Sequence, residues 1–159
     1  MNILVVYESM YGNTEKIAQA IGKETGASVL RSNEVKPNQL VGLDVLIVGS
    51  PTQIFQPLKS MKTFLKELPK DALKGVKVAT FDTRMDVLEV NNRLLTTLTK
   101  LFGYAAKPMA ATLVRKGGVR TGSSAGFIVS GREGPLKDGE LERALQWAKQ
   151  VLQSGVAST

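Results

Sequence analysis

ILVVYESMYGNTEKIAQAI, residues 3–21, joins two sequence periodicities across one short turn. Ile3 to Tyr7 is an uninterrupted β-prone apolar run, as expected of a strand buried on both faces of a parallel sheet. Ile17, Ala18 and Ile21 recur at i, i+1 and i+4, so the segment after the turn reads as an amphipathic helix ending near Gly26. Between them Ser9, Tyr11, Asn13 and Thr14 crowd around Gly12. A strand that turns into a helix leaves backbone N–H groups free at the helix start, and the helix dipole favours an anion above them. Ser9, Asn13 and Thr14 add side-chain donors, but these are also common capping residues, so the turn alone supports both an anion site and simple capping. Two better-known anion loops are excluded, because there is no GxxxxGK followed by Ser or Thr and no GxGxxG after a strand. No Lys or Arg falls between Ser9 and Glu15, which suits a phosphate monoester held by neutral donors.

The alternation continues along the chain. ASVLRS reads as a weaker strand, and DVLIVGS, Asp44 to Ser50, is another buried run. In LKSMKTFLKEL the residues Leu58, Met61, Phe64, Leu65 and Leu68 form one apolar stripe. VKVATFD, Val76 to Asp82, repeats the strand signal. A long helical region follows, with breaks expected at Gly103 or Pro108 and an end at Gly117-Gly118, which suit a C-terminal cap. GFIVSG is a last short strand, and GELERALQWAKQVL closes the pattern as a helix with Leu141, Ala144, Leu145, Ala148 and Leu152 expected inward. Trp147 in that helix reads as packing. Strand and helix alternate about five times, the pattern of an α/β parallel sheet with helices on both faces. No repeat or linker divides the chain, so residues 1–159 are expected to form one domain.

Composition narrows the chemistry. The 159 residues are 43% hydrophobic and 22% charged, enough for a core that needs no metal or disulfide staple. There is no cysteine and no histidine. Thiol chemistry, disulfides, a Ser-His-Asp hydrolase and a His-ligated metal site are therefore excluded, and no catalytic residue or metal ligand is assigned. No apolar stretch approaches a bilayer span, and MNILVVYE does not read as a signal peptide, so a cytoplasmic protein is expected. The net charge is +7. Between Glu89 and Glu133 lie seven basic residues and no acid, and Lys59, Lys62, Lys66, Lys70, Lys74 and Lys77 form a second cluster. Such a field attracts acidic proteins or anionic small molecules. Nucleic acid is disfavoured, since the basic residues are not interleaved with aromatics and no nucleic-acid motif is found.

In an open α/β sheet, ligands bind outside the carboxyl ends of the strands, where strand order reverses. Three segments reach that edge: Ser9 to Thr14, Pro51 to Phe55, and Asp82 to Met85. SMYGNTE after an N-terminal strand resembles the phosphate loop of the flavodoxin family, whose pattern is Ser/Thr-x-Thr-Gly-Asn-Thr. VGSPTQIFQPLKSMKTFL is similar to the second flavin loop and following helix of flavodoxin-like quinone reductases, and FDTR falls where a third flavin loop leaves the fourth strand. The resemblance covers essentially the whole chain. It implies a flavodoxin-like sandwich around a five-stranded parallel sheet of order 2-1-3-4-5, with FMN at the switch point. Carried over by position, it implies that Ser9, Met10, Tyr11, Gly12, Asn13 and Thr14 wrap the FMN phosphate. Pro51, Thr52, Gln53, Ile54 and Phe55 would then lie along one edge and face of the isoalloxazine ring, and Asp82, Thr83 and Arg84 would border its pyrimidine side, chiefly through backbone groups.

The departures from the family pattern matter as much. Tyr11 stands where many flavodoxins have Thr. Electron-carrier flavodoxins usually place a small residue, often Gly, near flavin N5, so that a peptide can flip as N5 gains a proton; PTQIFQP has no glycine and lies between Pro51 and Pro57. Arg84 is the one basic residue in the three loops, and it either approaches flavin N1 and O2, favouring the reduced anion, or pairs with Asp82 or Asp86. Carrier flavodoxins that dock on basic partners are usually acidic, so a basic carrier implies acidic redox partners. Three functions stay open: an FMN-binding electron-transfer protein, an FMN-dependent NAD(P)H:quinone-type oxidoreductase, and a flavodoxin-like scaffold or partner-binding domain without flavin.

Overall fold

A computed structural model of the chain describes residues 1–86 and 93–154. Strand β1 (Ile3–Tyr7) leads through the Gly12 turn into helix α1 (Asn13–Thr25), which stops at Gly26 in the left-handed conformation. Then come β2 (Ser28–Arg31), β3 (Val45–Pro51), α2 (Lys59–Glu67) and β4 (Lys77–Met85). Helices α3 (Arg93–Phe102) and α4 (Ala106–Arg115) precede two short strands, β5 (Val119–Arg120) and β6 (Ala125–Val129), and α5 (Glu140–Gln153) follows. The expected long helix is thus two helices broken at Gly103, φ 74°, with Pro108 in the first turn of the second, where proline costs no hydrogen bond. Its 87–92 part lies outside the described residues.

All strand pairs are parallel, and the order is β2-β1-β3-β4-β5, with helices on both faces as the sequence predicts. One refinement concerns the far edge. β6 also pairs with β4: Lys77 faces Val119 but Phe81 faces Ala125, so the edge position is shared by two segments with two extra residues between them. Two is the period of a strand, so the slip leaves side-chain alternation intact and Phe127 still points inward.

Alternation along the central strands builds two cores. Ile3, Val5, Tyr7, Val45, Ile47, Ala79 and Phe81 face Ile17, Ile21, Ala144, Trp147 and Val151 of α1 and α5. Leu4, Val6, Leu46, Val48 and Val78 face Met61, Leu65, Met109 and Leu113 of α2 and α4. In the first core Phe81, Phe127 and Trp147 meet edge to face at 5.9–6.1 Å, and the Trp147 indole N–H donates to Ser123 O at 2.8 Å. That triad turns α5 away from the expected stripe: Ala144, Trp147, Ala148 and Val151 are buried, whereas Leu141 is exposed and Leu145 half-buried. Counting Trp147 as part of the apolar stripe gives the observed face; the aliphatic residues alone do not.

The β2–β3 crossover holds two 3-10 segments, Ser32–Glu34 and Pro37–Leu40, in place of an α-helix. A groove of about 1070 Å³ runs between this crossover and α2, floored by Leu43, Phe64, Leu68 and Val76. It shares no residue with the strand-end loops described next.

Candidate functional site

The carboxyl ends of β1, β3 and β4 bring Ser9, Met10, Tyr11, Asn13, Thr14, Pro51, Thr52, Thr83 and Arg84 around one cleft of about 100 Å³. Gly12 shapes the turn below it, with φ 91° that only glycine adopts without strain. Ser9 is the organiser of the turn. Its Oγ accepts from Gly12 N–H at 3.0 Å and from Glu15 N–H at 3.4 Å, so the serine caps α1 from inside the turn. Among the described residues nothing accepts from the backbone N–H groups of Tyr11, Asn13 or Thr14. A helix start with open donors remains available to an anion.

The expected side-chain donors are already engaged. Thr14 and Thr83 are buried and share a hydroxyl–hydroxyl bond of 2.7 Å, which ties α1 to the end of β4. One proton fills that bond, and the accepting hydroxyl keeps its own proton. Asn13 Nδ2 donates to Glu133 O at 3.0 Å, in the loop after β6. Two acids flank the turn, and Arg31 offsets both: it lies 3.6 Å from Glu8 and 3.8 Å from Glu15, while Tyr7 OH donates to Glu15 at 2.9 Å. Burial and the Glu15 carboxylate push the Tyr7 phenol up from its ordinary value, so it stays a proton donor.

The second loop closes on itself. Gln53 N–H donates to Gln56 O at 2.8 Å and Gln56 N–H returns to Gln53 O at 3.1 Å, around Ile54 at φ 47° and Phe55 at φ 66°. Reciprocal bonds around two left-handed residues define a type I′ turn, a geometry that favours Asn-Gly and here holds a β-branched residue and an aromatic. Its base is pinned by Thr52 N–H to Thr83 O at 2.9 Å, by Leu58 N–H to Ser50 Oγ at 3.0 Å, and by Lys62 Nζ to Gln56 Oε1 at 2.8 Å. Gln53 and Ile54 are exposed and lie outside the lining of the cleft.

The third segment divides by face. Asp82 is fully buried; Arg84 grips it with Nε at 2.6 Å and a second nitrogen at 2.7 Å, and Ala106 N–H donates to it at 3.0 Å. Burial pushes the Asp82 carboxyl up, while the guanidinium and the backbone donor hold it down. The Arg84 guanidinium stacks 3.6 Å from the Tyr104 ring centroid and lies where a Cβ on Gly126 would fall, 2.1 Å from Cζ. Of the two roles open to Arg84, pairing with Asp82 is the one the geometry fills. With Thr52 Oγ1 accepting from Ala105 N–H at 3.1 Å, Asp82 also caps the start of α4.

Sequence reading missed three contributors. Val129 and Arg132 line the cleft beside Met85, the last residue of the third segment, and Tyr104 braces Arg84. Val129 and Arg132 follow the last strand, whose end was not counted among the loops of the site. A further signal is apolar: Met10, Tyr11, Ile54 and Met85 are 39–84% exposed, all on the three loops of this edge. The cleft admits a phosphate-sized anion, whereas a drug-sized ligand needs roughly 300 Å³ or more, so a larger ligand would have to lie across the exposed apolar rim. Among the described residues no cluster of acidic side chains could hold a metal ion, and no helix is long and apolar enough to cross a membrane.

Comparison with known proteins bears on the family and the fold. A profile of the flavodoxin domain matches residues 4–122. No curated protein sequence matches the chain significantly. Among solved structures, oxidised Flavodoxin 1 from Bacillus cereus superposes with a TM-score of 0.73 at 19% identity, covering 96% of this chain and 98% of that one. A flavodoxin from the domain Archaea gives 0.71 at 21% identity, covering 96% and 97%. A WrbA-like flavodoxin from Agrobacterium tumefaciens gives 0.64 at 19% identity, covering 96% and 98%. At these identities the likeness speaks to the fold.

Proposed function

The chain belongs to the flavodoxin family, and from that premise we propose that it holds FMN at the ends of β1, β3 and β4 and works in electron transfer. One observation carries the reading: a helix start with open N–H groups meets, at a single sheet edge, three loops that keep Met10, Tyr11, Ile54 and Met85 exposed. Open helix donors suit a phosphate, and apolar side chains kept in water suit a flat ring. Bound FMN supplies one- and two-electron redox chemistry. The chain supplies its placement. The N–H groups of Tyr11, Asn13 and Thr14 would receive the phosphate, with Ser9 holding the turn in shape. Pro51 to Phe55 would cover the ring, and Asp82, Thr83 and Arg84 would border its polar edge from the end of β4, where the Asp82 and Arg84 side chains satisfy one another. An Arg84 neutralised in this way adds no unpaired cation to that edge. The net charge of +7 favours an acidic redox partner protein.

A specific observation favours the second reading, an FMN-dependent oxidoreductase using NAD(P)H and a quinone. Flipping the Ile54–Phe55 peptide would convert the type I′ turn into type II′, leaving Ile54 in a region essentially open only to glycine. A turn that resists flipping keeps one orientation through reduction, as two-electron hydride chemistry allows. The basic surface would attract the anionic nicotinamide phosphates as well. The test is to purify the protein, identify any released flavin, follow its reduction by titration, and assay NAD(P)H oxidation with a quinone. Two separable one-electron stages without turnover support the carrier; turnover with either nucleotide supports the enzyme. A colourless protein that fails to quench FMN fluorescence would overturn both and leave the scaffold.

A further inference from the structure

Arg132 enters the wall of the phosphate cleft from the loop that follows β6, more than a hundred residues from the turn it faces. It is exposed, and among the described residues no carboxylate lies within ion-pair distance of it. Its neighbour Asp82-Arg84 pair is closed, and Arg31 is occupied by Glu8 and Glu15. Arg132 is therefore the cation at this edge whose charge is not already answered by a described acid.

The loop that carries it is built, not draped. Ser130 N–H donates to Pro135 O at 2.8 Å, Gly134 N–H to Gly131 O at 3.0 Å, and Lys137 N–H to Ile128 O at 2.9 Å, so residues 130–136 fold back on the end of β6. The fold-back is docked on the phosphate turn by Asn13, whose Nδ2 donates to Glu133 O at 3.0 Å. Gly134, at φ 102°, lies so close to that amide that a Cβ would come within 2.6 Å of both Nδ2 and Oδ1. The contact admits only glycine, and it sets the loop, and Arg132 with it, beside Ser9 to Thr14.

We propose that Arg132 is the cationic contact to the ligand's phosphate in this site and that Asn13 is the positioning residue that docks its loop. The inference rests on the FMN reading above and deepens it. The turn has only neutral donors of its own, and a phosphate dianion gains most from a charged, fork-shaped partner. Asn13, a residue the family pattern assigns to the phosphate, would act here through the 130–136 loop it holds. The site would thereby select the phosphorylated flavin over riboflavin by charge as well as by backbone donors.

The experiment measures FMN and riboflavin affinity by fluorescence quenching in the wild-type chain, Arg132→Ala, Arg132→Lys, Asn13→Ala and the double variant Arg132→Ala/Asn13→Ala. Removing a charge-assisted bond should weaken FMN by about tenfold or more, with riboflavin changed by less than about twofold. Arg132→Lys should recover part of the loss, because a point charge remains without the fork. Asn13→Ala should shift FMN in the same direction, and the double variant should lose little more than Arg132→Ala, since Asn13 acts through Arg132. Wild-type affinity for FMN should fall with ionic strength more steeply than that of Arg132→Ala. A wild-type chain that binds FMN while Arg132→Ala binds it equally well, or loses FMN and riboflavin alike, overturns this proposal and leaves the FMN reading standing. A wild-type chain that binds no FMN overturns both.

Discussion

Ile54 at φ 47° and Phe55 at φ 66° occupy the two central positions of a turn whose backbone normally selects Asn-Gly. A β-branched residue there stores strain, and an exposed side chain recovers little of it by packing: Ile54 is 84% exposed. Ile54→Asn is expected to stabilise the flavin-free protein by about 1 kcal/mol, read by urea denaturation. No gain, or a loss, would mean that the turn is not held left-handed in solution. Gly49 poses the opposite constraint. A Cβ at that position would lie 2.1 Å from Phe81 Cζ, inside the aromatic triad. Gly49→Ala is expected to cost roughly 1–3 kcal/mol and to lower the melting temperature by several degrees. An unchanged melting temperature would mean that the triad yields where the packing says it cannot. The sequence shows both residues, yet neither consequence: Ile54 reads as a residue of the flavin-facing loop with nothing to mark its left-handed backbone, and Gly49 as one more residue of a strand.

At the scale of elements, α5 is fixed to the sheet edge by one charged cluster. Glu140 Oε2 accepts from Ile128 N–H at 2.6 Å and from Arg143 at 2.7 Å, and the Arg143 Nε reaches Oε1 at 2.9 Å. Arg143 also donates to Gly126 O and stacks 4.7 Å from the Phe127 ring centroid. The Arg143 hydrogen bonds lead in holding the Glu140 carboxyl below its ordinary value of 4.5, with Ile128 N–H aiding them and burial opposing. A depressed carboxylate contributes stability that is fully present above the unfolded value and is lost as pH falls through the folded one. Wild-type stability should therefore begin to drop below about pH 4.5. Glu140→Gln should be less stable at neutral pH by about 1 kcal/mol and should show a flatter acid limb. Denaturation series from neutral pH down to the acid limb test this, and parallel curves for the two proteins would refute it. Element order was legible in the sequence, because buried runs and helical spacing alternate clearly. The face of α5 was not, since Trp147 decides it through contacts with Phe81 and Phe127 from two other strands. Nor was the divided edge strand, which depends on how β5 and β6 share β4.

For the whole molecule, ligand and partner effects follow from mass action and charge. If FMN binds only the folded chain, a hundredfold excess over Kd adds about 2.7 kcal/mol of stability, which raises the melting temperature by roughly 5–10 °C for a chain of this size. Calorimetry with and without FMN measures it, and an unchanged transition would count against the site. With a net charge of +7, association with an acidic redox partner should be fast at low salt and slow steeply as ionic strength rises. Stopped-flow reduction at several salt concentrations tests this, and a rate indifferent to salt would place the docking elsewhere. The sequence by itself determined the parallel sheet, its order by family resemblance, and the three loops at its carboxyl edge, because hydrophobic periodicity and a strand–turn–helix junction are local properties of the chain. Tertiary structure alone decided how the side chains on those loops are spent. Arg84 is consumed by Asp82, Thr14 by Thr83 and Asn13 by Glu133, while Arg132 is brought to the cleft from the far end of the sheet. A hydrogen bond or an ion pair forms between residues distant in the chain, and no local pattern records which partner will be in reach.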